Sequence, residues 1–378
     1  MIVPCSTAAL YVHLPWCVKK CPYCDFNSYE KRGVLAEHDY VDALLADLDD
    51  ELDWSAPPEI TSVFFGGGTP SLFSAQAIGR LLDGFAKRLH FSADVEVTLE
   101  ANPGAADEAR FRGYRAAGVN RLSIGVQSFD DTCLRQLGRA HDCQAADSAI
   151  AAARSAGFEN FNLDLMYGLP AQGAGAVSDD LRRALASEPT HISWYQLTIE
   201  ENTAFAKRPP ALPDPDLIDE QAHLGLDILA AYGFQRYEVS AFAQPDRACR
   251  HNLNYWEYGD YLGIGAGAHG KRTSSRGVTR SERVRNPARF INQQNPVRRE
   301  AVDESDLIAE FMINALRLKN GCALNLFEAR TGLGREVLAT HLATGRARGW
   351  LADDPIRIAT TERGFRFLND VQLLFLEG

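Results

Sequence analysis

The chain has 378 residues, 46% of them hydrophobic and 24% charged, which is ordinary for a globular protein and long enough for one large domain and a smaller one. Its net charge of −11 argues against a general nucleic-acid binder. No run approaches the roughly 20 apolar residues of a membrane-spanning helix.

Strand-like apolar segments alternate with helical patterns through the first part of the chain. The predicted strands are Ala9–Leu14, Ser62–Phe65, Asp94–Glu100, Asn120–Gln127, Asn160–Tyr167 and His191–Ile199, with a seventh candidate at Phe234–Phe242. The predicted helices between them include Glu37–Trp54, Ala75–Leu89, Asp107–Ala117 and Leu217–Tyr232. Such repeats indicate parallel strands joined by crossover helices. The sequence therefore predicts an α/β fold, a closed or three-quarter barrel first and a doubly wound open sheet as the alternative.

Three cysteines follow the first strand, with C-x3-C-x2-C spacing, at Cys17, Cys21 and Cys24. Such a loop can supply three thiolates to a [4Fe-4S] cluster, and no fourth cysteine follows within a hundred residues, so one iron would stay open. An open iron can chelate S-adenosylmethionine and start radical chemistry. The alternative, a zinc knuckle, usually needs a second pair of ligands that is not visible here. Because an oxidising compartment would threaten such a cluster, we expect a cytoplasmic protein.

Polar or glycine-rich groups stand at the ends of the following strands. The second strand runs into Gly66-Gly-Gly-Thr69, the third ends at Glu100, the fourth at Gln127, and the fifth carries Asp164. Taken singly, each is explained by a tight turn or a structural hydrogen bond. Since the carboxyl ends of parallel strands meet at one rim, together they predict a ligand site there.

The run from Tyr11 to Cys24 resembles the signature of the radical SAM superfamily, and more narrowly the branch of oxygen-independent coproporphyrinogen III dehydrogenases and haem chaperones (HemW). Four later motifs match that branch in order: Gly66-Gly-Gly-Thr69-Pro70, Glu100-Ala-Asn-Pro103, Gly125-Val-Gln127-Ser-Phe129 and Asp164-Leu-Met-Tyr-Gly168-Leu-Pro170. The resemblance implies a partial (β/α)6 TIM-type barrel with the cluster in its mouth. It also implies S-adenosylmethionine contacts from Tyr11, Tyr23, Gly67, Gly68, Thr69, Glu100, Gln127, Arg139 and Asp164.

Within that branch the chain resembles the haem chaperones more than the dehydrogenases. The dehydrogenase pattern has a further cysteine where this chain has Phe26, and a long N-terminal extension where this chain has sixteen residues before Cys17. The run His251-Asn-Leu-Asn-Tyr255-Trp256 resembles the haem-binding motif of the chaperones. The resemblance thus implies haem at His251 and recipient apo-haemoproteins as partners.

Neutral imidazole is a good axial ligand of haem iron, which supports His251 on chemical grounds. The aromatic side chains that could cover a porphyrin face are Tyr255, Trp256, Tyr258 and Tyr261. The alternative is a packed histidine bonded to the backbone. His269, beside the glycine-rich run Gly263–Gly270, is a second candidate ligand and Cys249 a third.

The segment Lys271–Arg299 holds nine Lys or Arg residues and one acidic residue, Glu282. It is either a linker or loop bound to acidic helices such as Glu37–Trp54, or a site for haem propionates or anionic membrane head groups. Its Ser and Gly residues predict mobility around 274–277.

The pattern changes at Asp303. A helix over Glu304–Leu318, two shorter helices, a β-wing within Trp350–Gly364 and a final helix resemble a winged helix, but nine basic against eleven acidic residues argue against DNA binding. The predicted units are 1–240 (barrel), 241–302 (haem motif and basic segment) and 303–378.

Two functions remain open. One is a haem carrier, in which the cluster and S-adenosylmethionine govern conformation, homodimerisation or release. The other is a radical enzyme that abstracts hydrogen from a porphyrinogen propionate before decarboxylation. The missing cysteine favours the carrier, and the retained cofactor contacts keep the enzyme open.

Overall fold

The computed structural model describes residues 5–54, 58–105, 107–292 and 297–376. Strands and helices alternate in its first half. In chain order they are β1 (Thr7–Leu14), β2 (Trp16–Cys17), β3 (Tyr29–Glu30), α1 (Glu37–Trp54), β4 (Glu59–Gly67), a 3-10 helix (Pro70–Leu72), α2 (Ala75–Ala86), β5 (Phe91–Ala101), α3 (Glu108–Ala117), β6 (Arg121–Gln127), α4 (Asp131–Gln136), α5 (Cys143–Ser155), β7 (Phe161–Tyr167), α6 (Ala174–Ala186) and β8 (His191–Gln196).

Shorter elements follow in the second half. They are α7 (Ala204–Lys207), α8 (Pro215–Ala231), β9 (Gln235–Glu238), β10 (Ala241–Ala243), α9 (Arg250–Trp256), β11 (Asp260–Ile264), β12 (His269–Ser274), β13 (Gly277–Glu282), α10 (Pro287–Ile291), β14 (Arg298–Ala301), α11 (Glu304–Ala315), β15 (Cys322–Ala323), α12 (Leu324–Thr331), a 3-10 helix (Arg335–Leu338), α13 (Ala339–Ala347), β16 (Arg357–Ile358), α14 (Glu362–Arg366) and α15 (Leu368–Leu373).

One 12-stranded sheet organises the barrel, in the order β14-β13-β12-β11-β1-β4-β5-β6-β7-β8-β10-β9. The strands β1 and β4 to β8 are parallel neighbours in chain order. A doubly wound sheet reverses direction at a switch point, whereas this order does not. Within the described residues β8 pairs with β10 and β7 and not with β1, so the barrel stays open. The predicted α/β fold with a partial barrel is confirmed.

The core forms where the sheet meets its helices. Helix α2 shows how the sequence sets this packing: Ile78, Leu81 and Phe85 repeat at helical spacing and are fully buried. Ser74 begins this helix as its N-cap, because its Oγ accepts a hydrogen bond from the amide of Ala77 at 3.1 Å. Packing of this kind holds the strand ends, and therefore the rim, in fixed positions.

The first six predicted strands are all present, with ends that differ from the structure by up to three residues. The sixth ends at Gln196 rather than Ile199, because Leu197 leaves the sheet to pack with Leu169 and Phe205. The seventh candidate, Phe234–Phe242, is wrong as one strand: it forms β9 and β10, an antiparallel pair broken at Ser240, whose amide and hydroxyl bond Glu238. Among the named helices, α1 has the predicted bounds and the others differ at their ends by up to three residues.

The glycine-rich run Gly263–Gly270 covers the end of β11, the turn after it and the start of β12. Strand β11 pairs in parallel with β1 and extends the sheet on its other edge. A Cβ on Gly263 would lie 1.8 Å from the carbonyl oxygen of His269, so only glycine permits this approach of β11 to β12.

Part of the basic segment Lys271–Arg299 packs against the rest of the protein; residues 293–296 lie outside the described residues. Strands β12 and β13 form a hairpin with its turn at 275–276, where the mobility remains a prediction. Arg283 pairs with Asp47 and Glu51 of α1, and Arg299 pairs with Glu51. The predicted contact with the acidic helix Glu37–Trp54 is therefore present.

A second apolar core lies in the C-terminal part, around Phe311, Phe327 and Val371. The wing is small: β15 pairs with β16, and Leu351 bridges Thr360. Tyr258 and Val278 also belong to this core, so packing crosses the predicted boundary at 302. Among the described residues, no helix combines the length and apolar character needed to cross a membrane.

Candidate cofactor site

The cysteine loop leaves β1 and is tied at its base. β2 pairs in parallel with β3, so the loop between Cys17 and Tyr29 is held at both ends. The amide of Cys24 donates to the carbonyl of Cys21 at 3.1 Å, which closes a turn carrying two of the three thiols. Pro22 packs against Gly138, where a Cβ would approach its ring to 2.7 Å. These contacts hold the backbone of the cysteine loop in one position.

The environment of the thiols fits metal ligation. Burial raises the pKa of the Cys17 and Cys24 thiols, so their thiolates need a nearby positive charge. The charge of Lys20 acts in this direction on the pKa of Cys24, Arg139 Nη1 lies 3.5 Å from Cys21 Sγ, and ligated iron deprotonates a thiol outright. Three thiols on one loop, facing one cavity beside a guanidinium, fit a cluster with three cysteine ligands.

All three cysteines line a cavity of about 440 Å³ at the rim, which we call the cysteine cavity. Most predicted S-adenosylmethionine contacts line it too: Tyr23, Gly67, Gly68, Thr69, Glu100, Gln127, Arg139 and Asp164. The structure therefore brings together at one cavity groups that the chain separates by as many as 147 positions, from Cys17 to Asp164. Their roles remain predictions.

The glycines after β4 are required by close approach. A Cβ on Gly67 would lie 2.5 Å from the His13 ring, and one on Gly68 would lie 2.6 Å from the carbonyl oxygen of Trp16. The cysteine loop can therefore pass directly over the end of β4, which a tight turn alone would not explain.

Two partly buried carboxyl groups line the cysteine cavity, Glu100 near the end of β5 and Asp164 in the middle of β7. Burial, and then the charge of Asp164, raise the pKa of Glu100 to about 8. Burial also raises the pKa of Asp164, although Asn162 donates to it at 2.8 Å and Ser123 at 3.3 Å. A cation bound between them would favour both charged forms. The sulfonium and ammonium groups of S-adenosylmethionine fit this requirement.

Several polar residues of the cavity lining were not among the predicted contacts, and two of them bond predicted ones. Asn102 accepts from Arg139 Nη2 at 2.9 Å, and Tyr195 donates to Gln127 Oε1 at 2.8 Å. Both lie at or beyond a strand end, Tyr195 in β8 and Asn102 after β5. Tyr195 was missed because the predicted strand continues to Ile199, four residues beyond it.

Tyr11 lies apart from the other predicted contacts. It lines a second cavity of about 480 Å³, together with Phe26, Tyr255, Tyr261 and His269. Its hydroxyl is hydrogen-bonded to His13 Nδ1 at 2.9 Å. We call this space the aromatic cavity.

His251 occupies neither cavity lining. It lies on α9 and is only 3% exposed, with Nδ1 hydrogen-bonded to Ser62 Oγ at 3.1 Å and its ring stacked on Phe64, 4.8 Å between centroids. Its Nε2 has no hydrogen-bond partner among the described residues. Burial, and then the charge of Arg121, lower its pKa to about 3, so the ring is neutral. An iron bound to it would require α9 to move.

The other predicted haem-site residues divide between the aromatic cavity and the protein interior. Tyr255 and Tyr261 line the cavity. Tyr258 instead packs on Phe311 and Lys271, because it belongs to the C-terminal core. Trp256 lies under Arg317, and Cys249 is buried against Glu96.

Known proteins match this chain over almost its whole length. The family models for the radical SAM superfamily and the HemN C-terminal domain match residues 11–184 and 302–367. The haem chaperone HemW of Escherichia coli is 46% identical over 97% of this chain and 98% of its own. The chain belongs to the HemW family. HemW of Haemophilus influenzae is 44% identical over 97% of both chains.

Two further relatives of this HemW-family chain extend the comparison. The mitochondrial radical S-adenosyl methionine domain-containing protein 1 of Bos taurus is 40% identical over 83% of this chain and 74% of its own. The solved structure of coproporphyrinogen III oxidase (HemN) from Escherichia coli superposes with a TM-score of 0.82 over 98% of this chain and 90% of that chain. At 24% sequence identity, this superposition shows a shared fold alone.

In this HemW-family chain the two cavities share a wall. Asp25, Phe26, Gly67 and Glu100 line both. Phe26, the residue that stands where the dehydrogenase pattern has a cysteine, is 58% exposed. A change in the conformation of the cysteine loop therefore alters the lining of both cavities, because Asp25 and Phe26 belong to both.

Proposed function

We propose that this chain is a haem chaperone that binds haem and transfers it to acceptor haemoproteins. Full-length relatives at up to 46% identity are named haem chaperones. The geometric observation that carries the proposal is the wall shared by the two cavities. One offers thiols and carboxyl groups, the other aromatic rings and an exposed histidine. A cofactor in the first can thereby bias what the second binds.

We further propose that Cys17, Cys21 and Cys24 hold a [4Fe-4S] cluster with exchangeable S-adenosylmethionine. The open iron of such a cluster supplies a chelating site for the amine and carboxylate of that molecule. Glu100 and Asp164 offer negative charge to its cationic groups. Arg139 holds the rim beside Cys21, because its Nη2 donates to Gly125 O at 2.8 Å.

In a chaperone this cofactor would act on conformation. Phe26 follows Cys24 by two residues, and the carbonyl oxygen of Phe26 accepts from Lys20 Nζ at 2.9 Å within the same loop. Ordering of the loop by the cluster thus fixes Phe26 against both cavities. Exchange of S-adenosylmethionine would change the haem affinity through this contact.

A radical enzyme of the coproporphyrinogen oxidase type is the second candidate. The observation that favours it is the set of predicted cofactor contacts gathered at the cysteine cavity. A carrier that never cleaves S-adenosylmethionine has no evident need for all of them.

The test is anaerobic reconstitution of the cluster, haem titration with and without S-adenosylmethionine, and transfer to apomyoglobin as an acceptor. We expect a haem affinity in the micromolar range or tighter, on the order of −8 kcal/mol, and transfer that depends on S-adenosylmethionine. Phe26→Ala should remove that dependence, whereas Phe367→Ala, an exposed phenylalanine of the C-terminal part, should keep it. Robust decarboxylation of coproporphyrinogen III would favour the enzyme and overturn the chaperone proposal.

Homodimerisation and contact with anionic membranes remain predictions. Sedimentation of the reconstituted protein with and without S-adenosylmethionine tests the first. Co-sedimentation with vesicles containing phosphatidylserine tests the second.

A further inference from the structure

The aromatic cavity has the character of a ligand site. Its volume of about 480 Å³ lies within the roughly 300–1,000 Å³ of small-molecule pockets, which are mostly apolar with a few fixed polar groups. Tyr255 and Tyr261 pack against each other on one side, 4.4 Å between ring centroids. Phe26, which is 58% exposed, adds a third aromatic ring to the lining. A flat apolar ligand would cover these rings.

His269 presents an available imidazole to this cavity. It is exposed at the start of β12, and its ring nitrogens form no hydrogen bond with any described residue. An imidazole nitrogen is a suitable ligand for iron, and no described residue occupies those of His269.

The turn that carries His269 is rigid. The amide of Gly265 donates to Asp47 Oδ2, the amide of Ala266 donates to the Tyr40 hydroxyl, and Asn27 Nδ2 donates to Ala266 O, each at 2.9 Å. Two strands and α1 thus fix the backbone in front of His269. Asn27 belongs to the cysteine loop. Its hydrogen bond to Ala266 therefore connects this turn to the loop that carries the predicted cluster ligands.

His251 supports this cavity from behind. His251 lies one helical turn before Tyr255 on α9. The two rings meet edge-on, with 5.0 Å between their centroids. The N-terminus of α9 is held by Glu96, which accepts from the amide of Arg250 at 3.1 Å. Moving His251 to the cavity would break this contact and the stack on Phe64.

Arg285 adds positive charge to the rim. Its carbonyl oxygen accepts from Asn27 Nδ2 at 2.9 Å and from the Tyr29 hydroxyl at 3.1 Å, which fixes its backbone. Its guanidinium is exposed and pairs with no described carboxylate. A carboxylate at the edge of a ligand can therefore bind it.

We propose that haem binds in the aromatic cavity, with His269 as the iron ligand, Phe26, Tyr255 and Tyr261 against the porphyrin, and Arg285 at a propionate. His251 is then a positioning residue that holds Tyr255. This inference rests on the proposed haem-chaperone function and assigns the site that serves it.

To test this, ferric haem is titrated into the full-length reconstituted protein and into its His269→Ala, His251→Ala and His90→Ala variants. Metal-free protoporphyrin IX is titrated in parallel, since it reports the cavity without the iron bond. His90 is the matched control because its side chain is 83% exposed and lines neither cavity. Circular dichroism and cluster iron content confirm that each variant is folded.

We expect His269→Ala to weaken haem binding by about ten-fold or more and to abolish the imidazole-ligated absorption spectrum, with protoporphyrin affinity within about two-fold of wild type. Added imidazole should restore the spectrum. His251→Ala should weaken both ligands alike and keep the spectrum, and His90→Ala should change neither. An unchanged haem spectrum in His269→Ala, with its loss in His251→Ala, would overturn this inference and leave the chaperone function intact. Absence of haem binding by the wild type would overturn both.

Discussion

The backbone amide of Gly67 donates a hydrogen bond to Oε2 of Glu100, with 3.2 Å between nitrogen and oxygen. This bond joins the ends of β4 and β5 at the rim of the barrel. It gives the partly buried carboxyl group one fixed donor, and it depends on a backbone with φ +110° that glycine adopts readily. The position of the carboxyl group and the path of the glycine turn are therefore coupled.

Gly67→Ala should damage this arrangement. The new Cβ would meet the His13 ring at 2.5 Å in a backbone conformation unfavourable to alanine. We expect a loss of about 1–3 kcal/mol in the free energy of unfolding, measured by urea denaturation, and weaker S-adenosylmethionine binding by calorimetry.

Gly175→Ala is the matched control for that variant. Gly175 is the second residue of α6 and a Cβ there would meet no atom within 4 Å, so alanine should change the free energy of unfolding by no more than about 0.5 kcal/mol. Wild-type affinity for S-adenosylmethionine in Gly67→Ala would show that the close approach at β4 is dispensable.

Glu100 should give the cluster-free protein a pH-dependent stability. Its pKa in the folded state is about 8, above the ordinary value of 4.5, so the folded protein retains a proton that the unfolded chain releases. Stability is fully present below about pH 4.5 and is lost as pH rises through about 8, by a few kcal/mol at about 1.4 kcal/mol per pKa unit. Glu100→Gln should remove this slope in urea titrations between pH 5 and pH 9.

The control for that slope is Glu200→Gln. Glu200 is exposed at the same cavity, where Thr198 Oγ1 donates to its carboxyl group at 2.7 Å, so this variant makes the same chemical change at an exposed position. Identical pH profiles of wild type and Glu100→Gln would mean that Glu100 is solvated in the folded protein.

The cluster assignment makes a selective prediction about cysteines. Cys17→Ser should abolish the four-iron absorption and the bound iron after anaerobic reconstitution, because one of three thiolate ligands is lost. Cys133→Ser and Cys322→Ser should keep both, since these thiols are buried at 3% and 4% exposure away from the cysteine cavity. Iron analysis and absorption spectra measure the difference. An intact four-iron spectrum in Cys17→Ser would reject the predicted ligand set.

The sequence alone predicts those parts of the site that follow from a local residue pattern combined with a general rule of parallel sheets. Gly67, Glu100 and Asp164 were predicted at one rim because parallel strands end on the same side. The position of His251 was not predictable, because its partners Ser62 and Phe64 lie on β4, almost two hundred residues earlier. The chemistry of an imidazole is visible in the sequence, whereas its burial depends on which distant strand it meets.

His251 should therefore behave as a buried neutral histidine. Its pKa in the folded state is about 3, below the ordinary 6.5, so stability is present above pH 6.5 and is lost as pH falls toward 3. His251→Asn should flatten this part of the profile and lower the stability at pH 8 by about 1–3 kcal/mol, because the contacts with Phe64 and Tyr255 are lost. Urea unfolding of the cluster-free protein at pH 4 to 8 measures both effects, with His90→Asn as the exposed control. Parallel acid profiles of wild type and His251→Asn would place this imidazole in solvent, within reach of a ligand, and would return it to the role of an iron ligand.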